Sequence, residues 1–206
     1  MKRSSMNVPN TLSLLRVVLT PLFMLAAILL QDAPIWCRIF PALLFLAAAI
    51  TDLLDGMIAR KQGIVTDFGK FIDPLADKFM IFGACITLLV IEPAIAPVFV
   101  WVSAVVMLRE LAVTSLRLVV AGKSGIVVAA SFFGKCKTVT QVVAVMIMFL
   151  EPTLAWLCSL VSLDPLVTFF GNHIFSYIGM GAMALTTVAS GLDYMKSYLP
   201  YIDPHK

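Results

Sequence analysis

The sequence predicts an all-α polytopic membrane protein with six transmembrane helices, and three observations carry that prediction. The first is composition. Of 206 residues, 61% are apolar (AVILMFWYC) and 13% charged, against roughly 45–50% and about 25% in soluble domains. A chain this short cannot bury so much apolar surface in one water-soluble core. The second is that the apolar residues fall into six runs near the ~20 residues that a bilayer crossing needs. The third is that successive turns alternate between basic and acidic.

In chain order the expected spans are Leu12–Leu30, Pro34–Ile58, Phe71–Ile91, Ala96–Val120, Thr138–Leu160 and Val167–Tyr194. Breaks are expected at Gln31 to Pro34, Arg60 to Gly69, Glu92-Pro93, Gly122 to Gly125, Glu151-Pro152 and Asp164-Pro165, where turn formers and charges cluster. The first run is interrupted by Asn10, Ser13 and Arg16 and has no small-residue cleavage site before Asp32, so it reads as a retained span rather than a signal peptide. A soluble helix bundle would need a wet face that these runs do not leave. The expectation is a single domain over residues 1–206, without internal repeats or low-complexity tracts.

Lys2, Arg3, Arg60, Lys61, Lys70, Lys123, Lys135, Lys137, Lys196 and Lys206 lie in or beside the N-terminus, alternate loops and the C-terminus, while Asp32, Glu92, Glu151 and Asp164 mark the opposite turns, with Arg38 the one base near them. Lys and Arg are retained on the cytoplasmic side during insertion. Both termini are therefore expected in the cytoplasm, in a cell membrane. Trp36, Trp101 and Trp156 fall near the external ends, as an aromatic belt would place them. Cys37, Cys85, Cys136 and Cys158 are dispersed without a CxxC pair, and His173 and His205 have no ligand spacing, so neither residue type marks a zinc or thiol site.

The acidic residues are more informative. Asp52 and Asp55 are i,i+3 on the second span, and Asp73 and Asp77 are i,i+4 on the third, so each pair shares a helix face. A hairpin joins the pairs at the cytoplasmic end, where the active site is expected. Four carboxylates together repel one another and are costly to desolvate, so positive charge must lie between them. Oxygen-only donors favour a hard cation, Mg²⁺, Mn²⁺ or Ca²⁺, and four carboxylates suffice for two. Gly56, which costs about 1 kcal/mol relative to Ala inside a helix, and Ala59 clear a shallow surface. Arg60 offers a phosphate fork, and Thr66 and Gly69 a hydroxyl and open backbone. Taken singly, these residues also read as a polar helix end with small-residue packing.

The run Asp52-x2-Asp55-Gly56-x2-Ala59-Arg60-x8-Gly69-x3-Asp73-x3-Asp77 resembles the signature of the CDP-alcohol phosphotransferase family at every motif position. The resemblance implies two bound divalent cations, Mg²⁺ with Mn²⁺ as the alternative, and transfer of a phosphatidyl group from CDP-diacylglycerol to an alcohol. It implies metal ligation by Asp52, Asp55, Asp73 and Asp77, with Asp77 also the catalytic base. Gly56, Ala59, Arg60, Thr66 and Gly69 would contact the CDP-lipid, as would Asn10 and Ser13, which resemble the family's N-terminal Asn-x2-Thr/Ser. The chemistry suits the residues. Attack of a hydroxyl on a diphosphate needs neutralised phosphate charge and a stabilised leaving group, which metal ions supply, and deprotonation of the alcohol, for which a carboxylate beside the metal is enough.

The acceptor must be read from elsewhere. Arg109 and Glu110 lie in the fourth span, Arg117 follows, and Lys135 and Lys137 open the fifth. Snorkelling suits Lys123 and Lys137, but Arg109 is deep enough to need a partner, either Glu110 or a substrate anion. Cations converging on a carboxylate site point to an acceptor that itself carries phosphate, bound by Arg109, Arg117, Lys135 and Lys137. Arg109-Glu110-Leu111-x3-Ser115-Leu116-Arg117 and Gly134-Lys135-x-Lys137-Thr138-x2-Gln141 also resemble the subfamily that uses glycerol 3-phosphate. The implied partners are CDP-diacylglycerol, glycerol 3-phosphate and membrane lipids, with no nucleic acid and with a homodimer left open. Inositol phosphate or the phosphatidylglycerol headgroup is the alternative acceptor. A cation transporter is the competing class, but it would spread its carboxylates through the bilayer depth, and an inert scaffold would leave the Asp cluster unexplained.

Overall fold

The computed structural model describes residues 8–62, 67–124 and 132–198. Its elements are α1 (Val8–Leu29), a 3₁₀ turn (Ile35–Arg38), α2 (Ile39–Gln62), α3 (Asp67–Ile91), α4 (Ala96–Ser124), α5 (Phe132–Leu160), α6 (Asp164–Gly171) and α7 (Ile174–Tyr198). Six of the helices are long and apolar enough to cross a membrane, and the expected all-helical, multi-pass class stands. α1 packs on α2 and α3, α5 on α7, and α4 on α7, with α2 and α5 meeting across the centre.

The packing is inverted relative to a soluble bundle. Leu108, Leu118 and Leu185 are more than two-thirds exposed, whereas Ser13, Arg16, Thr20, Gln141, Glu151, Ser176, Thr187 and Ser190 are buried. Lipid solvates the outer Leu side chains, and Ser13, Arg16, Glu151, Ser176 and Ser190 gain partners on neighbouring helices. Thr20, Thr51 and Thr87 instead return their hydroxyl hydrogen bonds to the preceding helical turn. The apolar centre includes the buried rings of Phe23, Phe45 and Phe149, one from each of α1, α2 and α5, with centroids 5.5–6.4 Å apart. Elsewhere small residues allow close approach. A Cβ on Gly179 would lie 3.3 Å from the Ala144 side chain, so α7 meets α5 almost backbone to backbone.

Three expected boundaries change. Glu151-Pro152 does not interrupt the chain: α5 continues through Pro152 to Leu160. The Glu151 carboxylate accepts from the backbone N–H groups of Phe175 and Ser176 at 2.9 and 2.7 Å and from the Ser176 hydroxyl at 2.5 Å. It therefore caps α7, where the first N–H groups lack helical partners and the dipole favours an anion. The expected span Val167–Tyr194 is two helices, because the chain turns at His173, which has a φ of 54°, so that α6 ends and α7 begins. Hydropathy did not reveal this turn because both sides of it are apolar. Finally, the second span opens with a 3₁₀ turn before α2, held by Thr153, whose hydroxyl donates to the Ile35 carbonyl at 3.3 Å.

At this same end Arg38 pairs with Glu92. Burial pushes the Glu92 carboxyl above the usual carboxylate range, Arg38 opposes that rise, and nearby Glu151 adds to it. Trp36 and Trp101 are exposed at this end, as expected of a belt. The opposite end carries the Asp hairpin between α2 and α3.

If each of the six long helices crosses the membrane once, the Asp32 and Asp164 turns fall on one face and the C-terminal ends of α2 and α4 on the other. Single cysteines at Asp32 and Asp164, in a chain freed of its own four, should react with an impermeant maleimide from one side of sealed vesicles. Those at Lys61 and Lys123 should react from the other side. Labelling of Asp164 and Lys61 from the same side would contradict the six-crossing fold.

Candidate active site

The α2–α3 hairpin presents Asp52, Asp73 and Asp77 to a cavity of about 540 Å³. All three are on helices because the polar residues at these span ends extend the helical turns: α2 runs on to Gln62 and α3 starts at Asp67. The side chains of Asp55 and Arg60, the surroundings of Gly56 and Ala59, and Thr66 lie outside the described residues.

α1 closes the hairpin from behind. Its Asn10, Ser13 and Arg16 follow one another at i,i+3, which aligns them along one face, and all three are buried. The Ser13 hydroxyl donates to Asp73 Oδ1 at 2.5 Å. Arg16 Nη1 lies 3.0 Å from Asp52 Oδ1 and also pairs with Asp77 Oδ1. One guanidinium nitrogen thus joins a carboxylate of α2 to one of α3. Asn10, Ser13 and buried Gly69 do not line the cavity.

Arg16 is the residue that sequence reasoning missed. It stands out in the sequence only as a polar interruption of the first span, although a buried Arg in a membrane helix needs an anionic partner and its spacing from Ser13 indicates the shared face. The positive charge required between the carboxylates is therefore supplied in part by the chain itself. Among the described residues, no three His, Cys, Asp or Glu side chains form a metal cage.

The facing wall comes from α4, α5 and α7. Glu110 on α4 pairs with Lys137 on α5 and lies 3.3 Å from Arg109 Nη1. Arg109 Nη2 also donates to Ser190 Oγ on α7 at 2.5 Å. The ring of Tyr194, one turn further along α7, is approached by two guanidiniums, with the Arg109 and Arg117 Cζ atoms 5.3 and 5.7 Å from its centroid. Arg117 Nη2 donates to the Tyr194 hydroxyl at 3.3 Å, and Tyr194 stacks on Tyr198. Ring and hydroxyl together fix the direction in which Arg117 points.

All four expected phosphate-binding bases, Arg109, Arg117, Lys135 and Lys137, line the same cavity as the carboxylates. Arg109 and Lys137 reach it already paired to Glu110, so part of their charge is spent inside the protein. Arg117 and Lys135 have no carboxylate within 4 Å among the described residues. Ser190 and Tyr194 were not legible as site residues, because they sit in an apolar span whose only marker is its position on α7.

Replacing Arg16 by Met would leave Asp52 and Asp77 facing each other without their shared partner. Both carboxylates keep some water, Asp77 being half exposed, so the expected loss follows a hydrogen bond to a charged group, about 1.5–3 kcal/mol, rather than the larger cost of breaking a fully buried pair. Arg16→Lys, which keeps the charge but not the fork, should fall between. Denaturant unfolding in detergent micelles measures this, and unchanged stability in Arg16→Met would remove the proposed tie between α1 and the hairpin.

Comparison with known proteins gives the family. The CDP-alcohol phosphatidyltransferase family profile matches residues 6–189. The CDP-diacylglycerol--glycerol-3-phosphate 3-phosphatidyltransferase of Bacillus subtilis is 43% identical over 157 residues, covering 70% of this chain and 77% of that protein. A probable phosphatidylglycerophosphate synthase of Mycobacterium tuberculosis is 36% identical over 189 residues, 92% of this chain and 80% of its own. The Escherichia coli CDP-diacylglycerol--glycerol-3-phosphate 3-phosphatidyltransferase is 38% identical over 154 residues, 73% of this chain and 76% of its own. Together with the Asp hairpin and the six-span bundle, the match over nearly the whole length places the chain in the CDP-alcohol phosphatidyltransferase family.

Proposed function

We propose that this chain transfers the phosphatidyl group of CDP-diacylglycerol to glycerol 3-phosphate, releasing CMP and forming phosphatidylglycerophosphate, at the cytoplasmic face of a cell membrane with both termini on that side. The observation that carries the reading is one cavity lined by Asp52, Asp73 and Asp77, with Lys78, on one wall and by Arg109, Arg117, Lys135 and Lys137 on the other. A site for a neutral alcohol has no use for the second wall. The names of the Bacillus subtilis and Escherichia coli relatives support the same pair of substrates.

The residues present suit a divalent cation. Asp52 and Asp77 converge closely enough to share one positive nitrogen, and their donors are hard oxygens. Asp52, Asp55, Asp73 and Asp77 would hold two ions, Mg²⁺ or Mn²⁺, which when bound supply charge neutralisation at the diphosphate. Ser13 orients Asp73, Arg16 orients Asp52 and Asp77, and Asn10 sits with them on the buried face of α1. Gly56, Ala59, Arg60, Thr66 and Gly69 receive the CDP-lipid.

Arg117 and Lys135 bind the phosphate of the acceptor, with Arg109 and Lys137 behind them around Glu110. This leaves the acceptor's primary hydroxyl to face Asp77, which takes its proton as the oxygen attacks phosphorus. The bond to CMP breaks as the new phosphodiester forms.

Turnover in detergent with CDP-diacylglycerol and labelled glycerol 3-phosphate should stop in excess chelator and return with Mg²⁺. Asp77→Asn should still bind the CDP-lipid while transfer falls by about 10²-fold or more, the usual contribution of a general base. Full activity in chelator would end the metal assignment, and near-normal transfer by Asp77→Asn would end the role of base.

Arg117→Lys keeps the charge but loses the fork. A hydrogen bond to a charged group contributes about 1.5–3 kcal/mol, so the apparent KM for glycerol 3-phosphate should rise about 10- to 100-fold, with that for CDP-diacylglycerol nearly unchanged. If glycerol serves as well as glycerol 3-phosphate, or if only the lipid donor binds more weakly, the basic wall has another purpose.

A further inference from the structure

Gln141 lies on α5 one helical turn beyond Lys137 and lines the same cavity, further from the α5 N-terminus than either lysine. It is 1% exposed, and neither its amide nitrogen nor its amide oxygen has a hydrogen-bond partner in the protein. The cavity wall includes Met80, Ile81 and Val113, which offer no polar atom to it. A buried carboxamide without partners is uncommon, because both ends lose hydration and gain nothing in return. Such a group on a cavity wall is suited to a ligand atom that both donates and accepts. A hydroxyl does both; a phosphate oxygen or an ammonium does only one.

Resting on the glycerol 3-phosphate reading above, we infer that Gln141 recognises the secondary hydroxyl of the acceptor: its carbonyl oxygen accepts from that hydroxyl and its NH₂ donates to the hydroxyl oxygen. The phosphate is then fixed by Arg117 and Lys135 and the primary hydroxyl faces Asp77. The secondary hydroxyl between them is the one polar group of the acceptor without another assigned contact. Gln141 thereby makes the site selective for a vicinal diol monophosphate over shorter or deoxygenated alcohol phosphates. A site that leaves its own buried polar group unpaired discriminates strongly against a ligand lacking the partner.

The test compares glycerol 3-phosphate with 3-hydroxypropyl phosphate, which has the same chain, phosphate and primary hydroxyl but no secondary hydroxyl. The wild-type protein should prefer glycerol 3-phosphate in kcat/KM by about 10- to 100-fold. In Gln141→Leu and in the unbranched, near-isosteric Gln141→Met, that ratio should collapse to within about threefold of unity, through loss on glycerol 3-phosphate alone. The KM for CDP-diacylglycerol should not move. Thermal stability of Gln141→Met should be no lower than wild type, since the native side chain makes no protein hydrogen bond to lose. A purely structural glutamine would instead lower stability and slow both acceptors equally. Retained discrimination in Gln141→Met, or a wild-type protein indifferent to the secondary hydroxyl, overturns the inference while leaving the transferase reading intact. Transfer to neither phosphate ester, but to another alcohol, overturns the acceptor assignment itself.

Discussion

The arrangement of the site depends on a buried guanidinium. Arg16 bridges Asp52 on α2 and Asp77 on α3, and without a positive charge there the hairpin would press carboxylates together at the edge of a low-dielectric medium. At close range each like-charge pair costs on the order of 4 kcal/mol at an effective dielectric near 20. Placing the cation on α1 makes the first span part of the site, and the close packing of α1 on both α2 and α3 follows from it. The apolar rings of Phe23, Phe45 and Phe149 continue that contact into the bilayer, with Phe23 on the same helix as Arg16. Polar attraction sets the register at the functional end, and ring packing holds it in the centre.

A second polar lock sits at the other end. Glu151 reaches from the middle of a long helix to the first N–H groups of α7, and Arg38 holds Glu92 at the start of α2. Both arrangements satisfy groups that lipid would not solvate, and Glu151 anchors the start of α7. That helix matters to the site because its far end carries Ser190 and Tyr194, which aim Arg109 and Arg117. The path from that cap to the basic wall of the cavity is one continuous helix, Ile174–Tyr198.

The sequence makes legible what depends on composition and on spacing within one helix. Six apolar runs give the bundle, and the pairs Asp52/Asp55 and Asp73/Asp77 announce themselves by their i,i+3 and i,i+4 spacing. It does not make legible what depends on which helix lies beside which. Arg16 reads as a blemish until α1 is placed against α3. Lys137 reads as an unpaired base until α4 brings Glu110 against it. Glu151-Pro152 reads as a break because proline and charge usually end a helix, whereas here the carboxylate has a partner two helices onward. The turn at His173 is hidden for the opposite reason: apolar residues on both sides give hydropathy nothing to detect.

Glu110 explains how two walls of opposite charge remain apart. Four bases opposite three aspartates would otherwise be drawn across the cavity, and every ion pair formed across it would occupy space needed by substrates. The described pairs instead close within each wall, Arg16 with Asp52 and Asp77 on one side, Lys137 and Arg109 with Glu110 on the other. Arg117 is further held by the ring and hydroxyl of Tyr194, so its reach is limited before any ligand arrives. What remains toward the cavity is positive charge at Arg117 and Lys135 on one wall and at Lys78 on the other; on the proposed reading the first two meet one phosphate group. On the proposed reading, a carboxylate placed among the bases thus serves anion binding, because it fixes how many cations stay available and where they stand.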